Sequence, residues 1–331
     1  MAAPQIQIAA VVASQDSGSE VVIKSDHPVP TPGADEILVK LEFSGVCHSD
    51  LHSIRGDTPM LTDVAGHEGV GRVVQVGSQI DGEQWLGTRV GIRWLYSSCR
   101  QCEICEINHT ACPKQKNAGA NTPGTFQQYI VSPALHVTKI PEQLSPESAA
   151  PLLCAGIAMY SSIMKTKARP GDYLAIIGAG GGLGHIGEKK KQLCLSLGAT
   201  EFLDYQEVDT VEAIKAKTGL GVHAVICTAN GERAYQQSMQ MLRPLGTLVC
   251  VGIPSVPFSL PATPLDMIVR GLTIVGNSAG TSDEMDELLA MAVAGDVKAH
   301  VDVYELHEIN AVLDRLQRSD IDGRVVLKIP E

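Results

Sequence analysis

The chain has 331 residues, of which 44% are hydrophobic, and its formal net charge is -11. This length predicts about two domains with packed cores, and the acidic balance argues against a nucleic-acid partner, because phosphate binding needs concentrated Lys and Arg. The one basic run, 189–191, is interpreted as a solvated helix face. No apolar stretch approaches the roughly 20 residues that cross a bilayer, so we expect no membrane partner. The N-terminus lacks a secretory signal, which predicts a cytoplasmic protein whose nine cysteines bind metal or stay buried as thiols.

Short β-branched runs fill the first part of the chain, where we predict strands at Val21–Lys24, Ile37–Leu41, Val70–Val76 and Val90–Ile92. From about Pro151 onward, apolar strands alternate with helical segments, which predicts βαβ units and a parallel sheet. The strands predicted there are Tyr173–Ile177, Glu201–Asp204, Ala224–Cys227, Thr247–Val251, Leu272–Val275 and Arg324–Ile329. Helices are predicted at Val211–Lys217 and Ala234–Leu242.

A first set of metal-ligand residue types extends from Cys47 to Cys154. Between them, His67 and Glu68 are adjacent in the glycine-rich run 66–71. Two thiolates and one imidazole leave the fourth position of a tetrahedral zinc open, as a catalytic site requires. The alternative is a buried histidine paired with its neighbouring carboxylate, without a metal.

A second set consists of four closely spaced cysteines, which are Cys99, Cys102, Cys105 and Cys112. This spacing suits a closed zinc site with four thiolate ligands. The alternative of four unrelated surface cysteines is disfavoured, because exposed free thiols are reactive. The two sets together predict two zinc ions per chain.

A glycine-rich run, 178–184, directly follows the predicted strand Tyr173–Ile177. Glycines in this position let the backbone approach a pyrophosphate closely, and the N-terminus of the following helix favours its negative charge. A glycine loop alone is a weak signal. The strand before it and the helix after it strengthen the prediction of a dinucleotide site.

These three features, in this order, resemble the zinc-dependent alcohol dehydrogenases of the medium-chain dehydrogenase/reductase superfamily, and most of all its yeast-type branch. The resemblance covers nearly the whole chain and includes Gly66, His67, Glu68, Gly71, Gly77 and the runs 45–52, 153–156 and 322–324. It implies an α/β fold with a β-rich GroES-like catalytic domain at 1–157 and 296–331. A Rossmann-type doubly wound parallel sheet would occupy 158–295. It also implies reversible hydride transfer between a primary or secondary alcohol and NAD(P), by a homodimer or homotetramer.

The resemblance assigns roles to residues by their position. Cys47, His67 and Cys154 would bind catalytic zinc with Glu68 behind the metal, and the four closely spaced cysteines would bind structural zinc. Asp50 would orient His67, while Ser49 and His52 would relay the proton. The residues implied for NAD(H) or NADP(H) are His48, Gly178, Gly180, Gly181, Gly182, Leu183, Gly184, Val251 and Arg324. The alternative for His48 and His52 is a plain surface position.

Two smaller departures from the family concern the substrate pocket and the structural zinc loop. Trp94 is retained in the pocket, but Ile54 and Thr58 replace bulky aromatic residues, which predicts a substrate larger than ethanol. The spacing from Cys105 to Cys112 is one residue shorter than in the family, which predicts a strained loop.

The largest departure follows the glycine loop, at about residue 186. By the family pattern roughly 17 residues are absent, which would hold most of a helix, the second strand and its ribose-binding acid. A gene-model or splicing difference and an evolutionary deletion both account for this. The strand at Glu201–Asp204 is predicted to close the gap beside Tyr173–Ile177. Two functions therefore stay open: an active alcohol dehydrogenase, and a zinc-binding homologue with impaired cofactor binding and little or no turnover. The complete zinc ligands argue against a zinc-free quinone reductase relative.

Overall fold

A computed structural model describes residues 3–14, 19–179, 188–254, 256–318 and 320–331. The strands are β1 Ile6–Val12, β2 Val21–Pro28, β3 Glu36–Val46, β4 Gly69–Val76, β5 Arg89–Ile92, β6 Leu95–Ser97, β7 Lys116–Asn117, β8 Tyr129–Pro133, β9 Thr138–Lys139, β10 Leu174–Ile177, β11 Val222–Cys227, β12 Leu242–Cys250, β13 Thr273–Gly276, β14 Val301–Glu305 and β15 Arg324–Lys328.

The α-helices are α1 His48–Ile54, α2 Gly82–Trp85, α3 Glu103–Asn108, α4 Pro146–Ala149, α5 Ala155–Thr166, α6 Glu188–Ser196, α7 Thr210–Thr218, α8 Glu232–Met241, α9 Pro264–Arg270, α10 Ser282–Ala294 and α11 Ile309–Gln317. Short 3-10 helices lie at His109–Ala111, Ala150–Leu153 and Leu306–Glu308. Among the described residues, no helix is long and apolar enough to cross a membrane.

The chain divides into two compact units. The first comprises Met1–Ile157, Ala279–Gln317 and Gly323–Glu331, and the second comprises Ala158–Ser278 and Arg318–Asp322. The predicted α/β class, with one β-rich part and one parallel sheet, is confirmed. The domain bounds taken from the sequence stay a prediction; they gave 279–295 to the second domain, whereas these residues group with the first unit.

A seven-stranded sheet forms the framework of the first unit, in the order β14-β15-β3-β4-β5-β9, with β8 also paired to β3. Strand β3 pairs antiparallel with both β15 and β4. The registers place Val46 opposite Val325 and Ser44 opposite Gly69. The residues that follow β3, precede β4 and begin β15 therefore meet at one end of this central strand.

Two glycines let β4 lie close to the backbone around β3. A Cβ on Gly71 would lie 2.1 Å from the carbonyl oxygen of Lys40, and a Cβ on Gly77 would lie 1.9 Å from that of Gly33. Any side chain at these positions would collide with backbone, so only glycine fits without a shift of the strand. The approach at Gly71 holds the start of β4, just after His67 and Glu68, against β3, and the approach at Gly77 lies just past the other end of β4.

The second unit is built on a parallel sheet in the order β10-β11-β12-β13. Its buried core includes Val225, Leu248 and Tyr235. Strand β10 pairs directly with β11, with Leu174 opposite Ala224. Within the described residues, no strand pairs with the other edge of β10.

The prediction of a strand at Glu201–Asp204 is wrong, because these residues form no strand. The prediction that this strand closes the sheet beside β10 is therefore wrong as well. The Asp204 side chain accepts a hydrogen bond from the backbone N–H of Gln206 at 2.8 Å, and its carbonyl accepts from Val208 at 3.0 Å. Such local bonds to an aspartate compete with strand pairing. The segment turns here and enters α7 at Thr210.

The basic run at the start of α6 is not fully solvated, contrary to the sequence interpretation. Lys190 is buried, and burial lowers the pKa of its ammonium group, while Asp322 and Asp320 act in the opposite direction. Both aspartates are far from Lys190 in the sequence, so the residue pattern of the basic run does not predict that they lie near it.

Candidate active site and metal centres

Four potential metal ligands converge in the first unit. The ligand atoms of Cys47, His67, Glu68 and Cys154 all lie within 4.8 Å of one another. Cys47 connects β3 to α1, His67 and Glu68 directly precede β4, and Cys154 follows a 3-10 helix. Three separate parts of the chain thus bring two thiols, one imidazole and one carboxylate to the end of β3.

The Asp50 carboxylate fixes the orientation of His67. Asp50 Oδ1 lies 2.7 Å from His67 Nδ1, while His67 Nε2 lies 3.3 Å from Cys154 Sγ. The other carboxylate oxygen, Asp50 Oδ2, accepts a hydrogen bond from the backbone N–H of Cys47 at 2.9 Å. One side chain therefore ties the start of α1 to the imidazole and leaves Nε2 facing the thiols. Metal-ligating histidines are commonly held in this way.

The residues of this cluster fit a zinc ion. Cys47 Sγ and Cys154 Sγ are 3.9 Å apart, and two sulfur ligands of a tetrahedral zinc lie about 3.8 Å apart. Glu68 is fully buried, and its Oε2 has no hydrogen-bond partner within the described part of the chain. A buried carboxylate is costly unless a cation neutralises it. A cation held by the two thiols and His67 would supply that charge.

The fully buried Glu68 and the partly exposed Arg324 form an ion pair beside the thiols. Arg324 Nη2 lies 2.5 Å from Glu68 Oε1. Burial raises the pKa of Glu68 to about 7, although Arg324 acts in the opposite direction. The Glu68 carboxylate in turn raises the pKa of the Arg324 guanidinium against the effect of burial. Glu68 is thus a carboxylate that two cationic partners can share.

The thiols and the imidazole are strongly perturbed by one another. The hydrogen bond from Cys154 holds the pKa of Cys47 well below its ordinary value, and the same bond raises the pKa of Cys154. Burial on its own lowers the pKa of His67, but Asp50 and Cys47 together outweigh it, so that the pKa lies well above its ordinary value. Protons and a metal ion therefore compete for the same donor atoms.

The residues implied for the proton relay lie on α1. Ser49 Oγ is 3.8 Å from Cys47 Sγ, and the rings of His48 and His52 are 6.3 Å apart. Burial lowers the pKa of His48. His52 Nδ1 lies 2.8 Å from Asp57 Oδ2. The sequence analysis missed Asp57, because it lies beyond the end of α1, where helical spacing no longer relates it to His52.

The three residues implied for the substrate pocket have different surroundings. The Trp94 ring packs edge-on against His67, with 5.2 Å between ring centroids. Thr58 Oγ1 lies 3.1 Å from Ser53 Oγ. Ile54 is 0% exposed and belongs to the core around α1. The structure thus brings Trp94 to the metal ligands and places Ile54 in packed surroundings.

The four closely spaced cysteines form a second potential metal site, with all four sulfurs within 4.8 Å of one another. The Cys99 sulfur lies 3.8 Å from that of Cys105 and 3.6 Å from that of Cys112, close to the spacing of about 3.8 Å around a tetrahedral zinc. The segment from Cys105 to Cys112, which is one residue shorter than in the family, includes the 3-10 helix His109–Ala111. A 3-10 helix rises about 2.0 Å per residue, more than the roughly 1.5 Å of an α-helix, so fewer residues cover the distance.

The residues implied for the cofactor are only partly described. Gly180, Gly181, Gly182, Leu183 and Gly184 lie outside the described residues. Gly178 is described and has a φ of 88°, a conformation that favours glycine, and a Cβ there would lie 2.6 Å from Thr228 Oγ1. Val251 is half-buried, and its backbone N–H donates to the Cys227 carbonyl at 3.0 Å.

Gly178, Thr228 and Gly252 follow the carboxyl ends of β10, β11 and β12, where neighbouring backbones pack closely. A Cβ on Gly252 would lie 2.2 Å from the Ala229 carbonyl oxygen. In open parallel sheets, ligands bind at this edge. The sequence analysis missed Thr228 and Gly252, although both directly follow predicted strands, and the rule for carboxyl ends would have found them.

Comparison with known proteins matches both parts of the chain to family models. The alcohol dehydrogenase GroES-like domain matches residues 33–142, and the zinc-binding dehydrogenase model matches residues 185–294. An alcohol dehydrogenase of Geobacillus stearothermophilus is 40% identical over 317 residues, which cover 89% of this chain and 92% of the relative.

A second relative shows where this chain is shorter. Alcohol dehydrogenase 1 of Emericella nidulans is 37% identical over 355 residues, which cover 100% of both chains. These 355 residues exceed the 331 of this chain by 24, so the relative has residues without a counterpart here. The solved structure of acetophenone reductase from Geotrichum candidum, in complex with NAD, matches with a TM-score of 0.84 and 25% identity, covering 99% of this chain and 98% of that one.

The predicted family is thereby confirmed over nearly the whole chain. The GroES-like and zinc-binding dehydrogenase matches agree with the β-rich unit and the parallel-sheet unit. The chain belongs to the zinc-dependent alcohol dehydrogenases of the medium-chain dehydrogenase/reductase superfamily.

Proposed function

We propose that this protein is an NAD(P)-dependent alcohol dehydrogenase that interconverts primary or secondary alcohols with aldehydes or ketones, and that it binds two zinc ions per chain. The convergence of Cys47, His67 and Cys154, with Nε2 of His67 directed at the thiols, carries this proposal. Three protein ligands leave one tetrahedral position for an exogenous oxygen, which distinguishes a catalytic from a structural zinc site.

In this proposal each residue of the centre has one task. Cys47, His67 and Cys154 hold the catalytic zinc, and Asp50 holds His67 in the ligating orientation. A zinc ion held there would supply a Lewis acid for the alcohol oxygen, and bound nicotinamide would supply the hydride acceptor. Ser49 and His52 carry the released proton towards solvent, with Asp57 fixing the ring of His52. Cys99, Cys102, Cys105 and Cys112 hold the structural zinc.

The cofactor is proposed to bind at the carboxyl ends of β10, β11 and β12. The solved relative from Geotrichum candidum contains NAD, and the close backbone approach at Gly178 and Gly252, at this edge of the sheet, supports an equivalent position here. The pyrophosphate contacts of His48 and Arg324 stay a prediction that the family resemblance implies. Because β10 pairs directly with β11, no second strand places a carboxylate for the ribose among the described residues. We therefore expect the cofactor to bind weakly.

The direct pairing of β10 with β11 also favours a second candidate function, a zinc-binding homologue with little or no turnover. In that case the zinc sites would be occupied, but the cofactor would not bind at concentrations found in cells. The two candidate functions differ in the rate of alcohol turnover at saturating cofactor, and this rate can be measured. The intact ligands and relay residues favour the active enzyme.

The substrate is proposed to be larger than ethanol. Thr58 stands where the family resemblance implies a bulky aromatic residue, while Trp94 still packs against His67. Each additional methylene that fills the freed space would contribute about 0.8 kcal/mol. A kinetic series of primary alcohols should therefore favour longer or aromatic members, and a preference for ethanol would contradict this part of the proposal.

The protein is also proposed to be a cytoplasmic homo-oligomer, either a dimer or a tetramer. All nine cysteines are free, as expected in a reducing compartment. Helix α9 exposes Leu265, Ile268 and Val269 to 70%, 79% and 72%. It leads into β13, the other edge strand of the parallel sheet. Apolar side chains beside an open strand edge suit a second copy of the same chain.

The direct test of the catalytic role is zinc removal and restoration. The protein is treated with a chelator, assayed for alcohol-dependent NAD(P) reduction at millimolar cofactor, and assayed again after zinc is restored. Wild type should lose and regain activity, and Cys47→Ala should stay inactive after zinc is added. Equal activity of the metal-free and zinc-loaded wild type would overturn the proposal.

A further inference from the structure

The buried Glu68 carboxylate lies against a position that has no side chain. A Cβ on Gly45 would lie 2.1 Å from Glu68 Oε2, 2.9 Å from its Cδ and 3.0 Å from its Cβ. These three atoms are the nearest neighbours of that hypothetical Cβ, and all belong to Glu68. The carboxylate thus occupies the volume that any other residue at position 45 would fill.

The backbone conformation of Gly45 does not itself require glycine. Gly45 lies in regular pairing near the end of β3, opposite Val326 of β15 and next to the Ser44–Gly69 pair of β4. Its N–H donates to the Glu68 carbonyl at 3.0 Å. Gly45 also has no positive φ, unlike Gly66 or Gly178. Its lack of a side chain is therefore explained by the space that Glu68 needs.

The registers also explain why Glu68 lies between Gly45 and Arg324. Strand β3 runs between β4, which Glu68 precedes, and β15, which Arg324 begins. Glu68 reaches across the end of β3 at Gly45, where Oε1 contacts Arg324 and Oε2 has no hydrogen-bond partner in the described chain. From this place its carboxylate oxygen lies within 4.8 Å of the thiol and imidazole ligands.

We propose that Gly45 is a positioning residue for the catalytic metal centre, and that it acts only through Glu68. The empty volume at Gly45 lets the carboxylate pair with Arg324 and still stay beside the ligand set. This inference rests on the proposed zinc role of Cys47, His67 and Cys154. An alanine at position 45 would displace the carboxylate, because the three atoms nearest to its Cβ all belong to Glu68.

The test measures zinc affinity by chelator competition, without alcohol or cofactor. Residues that support metal ligands typically change metal affinity by about tenfold or more when mutated. Glu68→Ala should therefore weaken catalytic zinc binding by about tenfold, and Gly45→Ala should weaken it by a similar factor, because both remove the carboxylate from its place. The double variant Gly45→Ala/Glu68→Ala should match Glu68→Ala alone, because the side chain that collides with the new methyl group is gone.

The four-cysteine site serves as the internal control and should keep its zinc in all three variants. If Gly45→Ala fails to fold but the double variant folds, the collision with Glu68 is again the cause, and the proposal stands. A double variant that fails to fold, or that loses a further tenfold in zinc affinity, would overturn it, as would wild-type affinity in Gly45→Ala. Wild-type protein without zinc at Cys47 would instead contradict the proposed function itself.

Discussion

At the scale of single residues, Asp50 shows how the metal centre is assembled before any metal binds. Its carboxylate accepts from the Cys47 backbone and holds His67 Nδ1, so two ligands from separate parts of the chain are oriented by one side chain. Buried charge of this kind is stabilising only when every partner is present. The family resemblance pointed to Asp50 and His67, but not to the second bond at Cys47, because a pattern of residue types does not specify hydrogen-bond partners.

The two metal sites should respond independently to mutation. Cys47→Ala removes one ligand of the catalytic site and leaves Cys99, Cys102, Cys105 and Cys112 unchanged. Elemental analysis should therefore give two zinc ions in wild type and one in the variant. Cys102→Ala is the matched control, and it should release the structural zinc. Loss of both ions from Cys47→Ala, or a single ion in freshly purified wild type, would contradict the assignment of two separate sites.

His136 should make the protein sensitive to acid. Burial and the nearby Arg100 lower the pKa of His136 from 6.5 to about 4 in the folded state. Between these pH values the unfolded chain binds more protons than the folded chain, so stability falls as the pH falls through this window. His136 Nε2 accepts a hydrogen bond from the backbone N–H of Ser98 at 3.0 Å. The variant His136→Gln keeps an acceptor for this hydrogen bond, but its side chain does not titrate.

Denaturant unfolding between pH 7 and pH 4 provides the measurement. The variant should lose less stability than wild type over this range, because the proton uptake by unfolded His136 is gone. Both proteins share the protonation of their carboxylates, so only the difference between the two curves reports on His136. Parallel curves would show that His136 does not contribute to the loss of stability at low pH.

At the scale of elements, the sequence located most of the regular strands and several of their carboxyl ends, such as Ile177 of β10 and Cys227 of β11. Runs of β-branched residues predicted β2, β3, β4 and β5, and apolar runs predicted β10, β11, β12, β13 and β15. Strand β12 begins at Leu242, five residues before its predicted start at Thr247. The two-residue strands β7 and β9 carry no periodic signal. The prediction of a strand at Glu201–Asp204 is wrong because Asp204 makes local hydrogen bonds in place of strand pairing.

The candidate site was easier to predict in the first unit than in the second. Zinc ligands are restricted to a few residue types at fixed spacing, so the sequence contains strong signals for them. The volume at Gly45, the pairing of Glu68 with Arg324 and the close packing at Gly252 depend on strand register. That register is set by residues far away in the sequence, which no local pattern reports.

The close approach of β4 to β3 should make Gly71 intolerant of any side chain. Gly71→Ala places a methyl group 2.1 Å from the Lys40 carbonyl oxygen, and such overpacking costs about 3 kcal/mol. Gly82→Ala is the control in the same unit, because its Cβ would lie 3.5 Å or more from its neighbours. Denaturant unfolding should show a lower midpoint for Gly71→Ala only. Equal midpoints would mean that the strands adjust freely.

At the scale of the whole molecule, the exposed face of α9 should determine the oligomeric state. Ile268→Asp places a charge in an apolar surface, which a second copy would have to bury. Sedimentation velocity at micromolar concentration should show oligomers for wild type and monomers for this variant. Leu220→Asp, also at an exposed position in the second unit, should stay oligomeric. A monomeric wild type would contradict the proposed association.

The central claim is that a complete zinc centre is joined to a shortened nucleotide-binding unit. The absent carboxylate would contribute about 1.5–3 kcal/mol through its hydrogen bonds to the ribose. Its loss alone predicts roughly ten- to a hundredfold weaker cofactor binding. The same chain with a family-like segment of roughly 17 residues inserted after Ile186 is the natural comparison, because it restores the second strand without touching the metal ligands.

The most direct test is the initial rate of alcohol oxidation as a function of NAD(P) concentration, for the zinc-loaded chain with and without the inserted segment. The account predicts turnover in both proteins that Cys47→Ala abolishes, with half-saturation at roughly ten- to a hundredfold higher cofactor concentration in the chain as it stands. Saturation of the unmodified chain at low micromolar cofactor, or no alcohol-dependent turnover at any cofactor concentration, would contradict it.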